Sequence, residues 1–238
     1  MYKRLLISTA IVATAALPAA SNAEVTANVG WMSDYIFRGF FQEDSSPMGG
    51  IDYSHESGFY AGIWGADVGS GATAGQGAGL EYDLYLGYSG SFGESGGYTI
   101  GWTGYYYTED NLSEPTVFDD QYTEVNLGIS YGIFAIDYAD GTADLFGSPS
   151  DYTFTSVTLS PEKGPYYSYN TWGDEAAGDF LSLGYDWSAM DLDFNVTVYY
   201  DLNAGDSDAV GLDKNWYGTD DAAMTFSISK TFTLTGND

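Results

Sequence analysis

Carboxylate side chains recur opposite apolar ones in several segments of this 238-residue chain. Six of them share that placement: Glu81, Asp83, Glu124, Asp186, Asp191 and Asp193. Successive side chains of an extended strand point to opposite faces, so each segment would carry its carboxylates on one side. Carboxylates that line a water-filled passage attract cations. The alternatives are that these acids only keep a water-facing surface soluble, or that their hydrogen bonds plug a narrow passage.

One arginine, Arg38, lies in an aromatic-rich segment near the start of the chain. In a strand over residues 25–41 it would share the even-numbered face with Asp34. The odd-numbered face would carry Trp31, Tyr35, Phe37 and Phe41. At about 3.3 Å per residue, Asp34 and Arg38 are too far apart to touch, so we expect Arg38 to pair with an acid on a neighbouring strand. If the even-numbered face lines an interior, Arg38 is either a constriction charge or part of a stabilising salt bridge.

The sequence offers little for catalysis or metal binding. It has no cysteine and one histidine, His55, beside Ser54 and Ser57. Neighbours in sequence do not make a Ser–His–Asp arrangement, which needs three groups that meet in space. The acidic segment around Asp206 and Asp208 lacks the ligand spacing of an EF-hand. We therefore expect no enzymatic activity, no cofactor and no metal.

Charge and targeting signals indicate an exported protein that does not bind nucleic acid. The formal net charge is −28 at pH 7, and phosphate binding requires basic patches instead. Lys3-Arg4, the apolar stretch 5–20 and the small residues before Glu24 are typical of a signal peptide. We predict removal of residues 1–23 and one domain over residues 24–238.

Apolar and polar residues alternate in segments of about ten residues, the length that a tilted strand needs to cross a bilayer. Aromatic residues gather toward the segment ends, as expected of membrane barrels. Twelve strands are predicted, at about 25–41, 49–56, 59–68, 79–92, 98–108, 120–131, 133–139, 152–160, 165–172, 179–187, 190–202 and 222–234. Ten strands remain an alternative, because alternation is broken at 133–139 and 152–172. The prediction is an all-β, antiparallel, up-and-down transmembrane barrel; a secreted acidic β-sandwich that binds a ligand is the soluble alternative.

Two segments near the start resemble a known family. Residues 28–39, NVGWMSDYIFRG, are similar to the opening strand of the TorF-family porins, and residues 49–64 to their first hairpin. Residues 229–232, SKTF, resemble their closing strand. A departure is that Phe232 is followed by six further residues, whereas outer-membrane strands usually finish on a terminal aromatic.

The resemblance implies a barrel in the outer membrane of Gram-negative bacteria, in contact with lipid and lipopolysaccharide. Together with the interior acids, it leads us to expect a narrow channel for small hydrophilic solutes that prefers cations. A non-conducting barrel with a structural or adhesive role is the other membrane-bound alternative.

Overall fold

The computed structural model describes residues 23–69, 79–108, 122–145, 148–174, 178–203 and 222–235, and all structural statements concern these ranges. Side chains of residues 143–149 are outside the description. The predicted signal peptide, up to residue 22, also lies outside it, as do Asp206 and Asp208.

Twelve antiparallel strands close into one barrel in meander order, which confirms the predicted fold class. The strands are β1 (Glu24–Phe37), β2 (Phe40–Ser54), β3 (Phe59–Asp67), β4 (Leu80–Phe92), β5 (Gly96–Tyr107), β6 (Tyr122–Tyr131), β7 (Phe134–Leu145), β8 (Ser148–Leu159), β9 (Tyr166–Asp174), β10 (Gly178–Ala189), β11 (Leu192–Asp201) and β12 (Ala222–Thr235). β1 closes the barrel against β12, from Val25–Thr235 to Met32–Ser227. A closed single sheet excludes the two-layered sandwich, which would need two packed sheets.

The barrel is apolar outside and largely polar inside, the reverse of a soluble protein. On β6, Val125, Leu127 and Ile129 are exposed, whereas the alternating residues Glu124 and Asn126 are buried. β4 and β11 alternate in the same way. This is the pattern of a barrel whose outer face meets lipid. Among the described residues no helix has the length and apolar character to cross a membrane.

Several boundaries differ from the sequence-based ones. The expected loop at 42–48 lies within β2, and the chain instead reverses at Arg38 and Gly39. Both residues have positive φ, 47° and 90°, which suits a two-residue hairpin turn. Alternation alone hides this turn, because aromatic residues continue on both sides of it.

The end of this first hairpin leaves the barrel wall. Pairing of β1 with β12 stops at Met32, and pairing of β2 with β3 stops at Met48, while β1 and β2 stay paired up to Phe37–Phe40. Residues 33–47, hereafter the inner hairpin, therefore take part only in the pairing of β1 with β2. They fold into the barrel, where Ile36 and Phe41 join a cluster with residues of β7, β8, β10 and β11: Ala139, Phe154, Phe180 and Tyr199.

Candidate functional site

A buried ion pair joins the inner hairpin to the far wall of the barrel. The Arg38 guanidinium donates from Nη1 and Nη2 to the two carboxylate oxygens of Glu124 on β6, both at 2.8 Å. The two side chains are 3% and 0% exposed. The predicted partner was an acid on a neighbouring strand; that expectation is wrong, because the hairpin carries Arg38 across the interior. Such two-pronged pairs are among the strongest hydrogen-bonded contacts.

Three neutral donors complete the shell of Glu124. The hydroxyls of Tyr105 and Tyr152 donate to its two oxygens at 2.8 and 2.9 Å, and the Asn126 amide donates at 2.6 Å. A buried charge is tolerated only when its remaining lone pairs are satisfied in this way. Tyr105 is not among the predicted site residues, because aromatic residues near strand ends are expected at the lipid interface. The signal in the sequence is that Tyr105 shares the odd-numbered face of β5 with the polar residues Thr99 and Thr103, which the structure buries.

Aromatic rings enclose the tip of the inner hairpin. The guanidinium carbon of Arg38 lies 4.6 Å from the ring centre of Phe154 and 4.9 Å from that of Phe37, which are cation–π contacts. The indole of Trp172 donates to the Arg38 carbonyl at 2.8 Å. A Cβ on Gly39 would lie 2.9 Å from the Phe180 ring, so the turn needs glycine for space as well as for its φ.

A second contact fixes the β1 strand of the inner hairpin. The Tyr35 hydroxyl donates to Glu81 of β4 at 2.6 Å, and its ring meets that of Trp64 edge-on. Tyr35 and Phe41 were assigned by parity to the face opposite Arg38. They are instead buried with it, at 2% and 7% exposure, because the hairpin bends into the barrel. Trp31, which precedes the bend, is exposed.

More than one carboxylate lies near the single guanidinium, that of Arg38, on the inner hairpin. Asp83, 1% exposed, neighbours Glu81, Glu124 and Arg38, and its Oδ1 has no hydrogen-bond partner. Asp137 of β7, which the sequence-based analysis missed, also has a buried oxygen without one. Among the described residues, no group of three acids or other ligands is arranged to hold a metal ion.

Of the other predicted acids, Asp186, Asp191 and Asp193 lie at β10, β11 and the turn between them, and Asp34 lies on the inner hairpin itself. Asp186 accepts from Asn195 at 2.7 Å and Asp193 accepts from Ser188 at 2.6 Å, both between β10 and β11. Asp191 was placed on the polar face of a strand, but it belongs to the exposed turn before β11, with φ of 58°. Asp34 accepts from the adjacent Ser33 hydroxyl at 2.8 Å.

His55 lies in the turn between β2 and β3. Its Nδ1 is 2.9 Å from the Ser57 hydroxyl and 3.1 Å from the Ser57 backbone nitrogen. These are local turn contacts of the kind that short polar side chains make. No carboxylate is among the hydrogen-bond partners that the structure gives this imidazole.

Comparison with known proteins yields a family and a set of distant barrels. The model of a family described as "Bacterial protein of unknown function (Gcw_chp)" matches residues 16–232. No curated protein matches the chain.

Among solved structures, OmpF of Salmonella typhi in complex with daunomycin is 10% identical, with 89% of this chain and 97% of that chain covered and a TM-score of 0.37. OmpT of Vibrio cholerae is 11% identical, with 89% and 99% covered and a TM-score of 0.37. The outer membrane protease OmpT from Escherichia coli is 11% identical, with 90% and 96% covered and a TM-score of 0.28.

Proposed function

The chain belongs to the Gcw_chp family of bacterial proteins of unknown function. We propose that it is a narrow outer-membrane channel for small hydrophilic solutes that prefers cations. The observation that carries this proposal is the inverted barrel: exposed apolar side chains surround an interior of buried polar ones. A closed barrel pairs the backbone groups of neighbouring strands with one another, as lipid requires of a spanning structure. The resemblance to TorF-family porins agrees with this location and with lipid and lipopolysaccharide as surroundings.

Interior charge supports the preference for cations. Glu81, Asp83, Glu124 and Asp137 face the inner hairpin, and Arg38 neutralises only one of them. Twelve strands lie between the eight that side chains fill and the sixteen that leave a wide channel. The inner hairpin narrows the passage further, which favours small solutes.

Reversal potentials across a planar bilayer in a KCl gradient test this proposal. We expect K⁺ to be preferred over Cl⁻, and the pair Glu81→Gln and Asp83→Asn to reduce that preference. Asp191→Asn is the control for loss of a carboxylate outside the interior, because Asp191 lies at an exposed turn. Anion selectivity of the wild-type barrel would contradict the proposal.

The second candidate is a non-conducting barrel with a structural or adhesive role. The buried cluster of Ile36, Phe41 and Phe180 favours it, since apolar side chains from the hairpin occupy part of the interior. A folded barrel that never conducts would support this candidate.

A further inference from the structure

We propose that the inner hairpin is a gate with two positions. In the inward position, described above, it crosses the barrel interior. In the second, residues 33–37 extend β1 along the start of β12, and the interior is cleared. This inference rests on the proposed channel function, because it assigns the regulation of that passage.

The start of β12 lacks a strand partner on the β1 side. β12 pairs with β11 from Ala222 onward, but its pairing with β1 begins only at Ser227. Residues 222–226 therefore have room for five more pairs. Continued antiparallel pairing would place Asp34 opposite Thr225, Tyr35 opposite Met224 and Phe37 opposite Ala222.

Two hydrogen bonds already join the base of the inner hairpin to the residues of β12 that would face it in the extended register. The backbone nitrogen of Phe226 donates to the Ser33 hydroxyl at 2.9 Å, and the Thr225 hydroxyl donates to the Asp34 carbonyl at 2.6 Å. These contacts replace the backbone ladder at the point where it stops. The bend follows them, with a register shift between Tyr35 and Ile36.

The side-chain pattern fits the wall position better than the inward one. In the extended register Tyr35 would lie beside Met224, which is exposed on the outer face, and Asp34 beside Thr225, which is buried. Trp31, Tyr35 and Phe37 would then form one outward row, as expected of the aromatic girdle of a membrane barrel. In the inward position the consecutive residues Tyr35 and Ile36 are both buried, so the alternation is broken.

Some features of the inner hairpin are energetically unfavourable in the inward position. Ser45 has a left-handed backbone conformation, with φ of 55°, which residues other than glycine adopt at a cost. Arg38 Nε and Asp83 Oδ1 are buried without hydrogen-bond partners, which is unfavourable. Strong contacts to Glu124 and Trp172 offset these terms. A segment in which strong contacts oppose such unfavourable features is suited to switching between two arrangements.

Paired cysteines test the wall position directly, because the chain has none of its own. In the refolded barrel in lipid, Tyr35→Cys with Met224→Cys joins residues that face each other only in the extended register. Trp31→Cys with Ile228→Cys is the positive control, since those residues are paired in the structure. Phe37→Cys with Met224→Cys, two residues out of register, is the negative control.

We expect Tyr35–Met224 to form a disulfide more slowly than Trp31–Ile228 and at least tenfold faster than Phe37–Met224. The oxidised Tyr35–Met224 barrel should conduct more than its reduced form and more than Tyr35→Cys alone, and reduction should reverse the change. Absence of the Tyr35–Met224 disulfide where the positive control closes would overturn the gate. A disulfide that forms in a barrel that conducts in neither state would support the two positions and contradict the channel function instead.

Discussion

Arg38→Met should release the inner hairpin from the far wall of the barrel. The substitution keeps an unbranched apolar side chain among the rings of Phe37 and Phe154, but it removes both hydrogen bonds to Glu124. Removing one partner of a buried ion pair costs about 3–5 kcal/mol, because the other charge stays buried. Tyr105, Tyr152 and Asn126 still donate to Glu124, so the lower figure applies.

About 3 kcal/mol corresponds to a change of about 10²-fold in the ratio of released to inward hairpins, at about 1.4 kcal/mol per decade. Chymotrypsin reports that ratio at Phe40 and Phe41, which are half-buried and buried in the inward position. When release is fast relative to cleavage, the cutting rate follows the released population. Mass spectrometry of the fragments should show cleavage at these residues rising by about that factor, with cleavage elsewhere as the internal standard.

Glu124→Gln and the double variant Arg38→Met/Glu124→Gln complete a double-mutant cycle. The double variant leaves no buried charge at the pair, so its effect should be smaller than the sum of the single effects by about 1–3 kcal/mol. Equal cleavage in wild type and Arg38→Met, or single effects that simply add, would refute the reasoning that this ion pair holds the hairpin.

Three further predictions concern the turn glycine Gly39, the location of the protein and the turn histidine His55. Gly39→Ala puts a Cβ within 2.9 Å of the Phe180 ring at a φ of 90°, so cleavage at Phe40 should rise, whereas Gly93→Ala, with no atom within 4 Å of the new Cβ, should leave it unchanged. The wild-type protein should fractionate with the outer membrane and shift its band on heating in detergent gels; recovery from the soluble periplasm would contradict the membrane assignment. His55→Ala should leave lipid-hydrolysis assays at the background of the wild-type barrel, and loss of a measurable activity would show that the turn histidine is catalytic.

Strand number, strand pairing and the facing of most interior acids follow from local pattern. Along β4, β6 and β11 the two-residue period separates Leu84 from Asp83, Val125 from Glu124 and Val198 from Thr197, and the barrel keeps that separation. A one-residue slip would put every one of these side chains on the wrong face, so the register is strongly specified. The turn at Arg38-Gly39 does not follow from this pattern, because whether a hairpin stays in the wall depends on contacts with strands far away in sequence.

The choice of Glu124 over Asp83 as the partner of Arg38 has a structural reason that no sequence spacing contains. Two tyrosines and an asparagine fix both oxygens of Glu124, so the planar guanidinium meets a carboxylate already oriented for two parallel bonds. The Oδ1 of Asp83 has no such donor, although Asp83 lies close enough to Arg38 for an electrostatic interaction. When the hairpin leaves, Glu124 keeps three hydrogen bonds and stays a tolerable buried charge. The same neutral donors that make the ion pair strong therefore allow it to open without unfolding the wall around it, which is what a reversible gate requires.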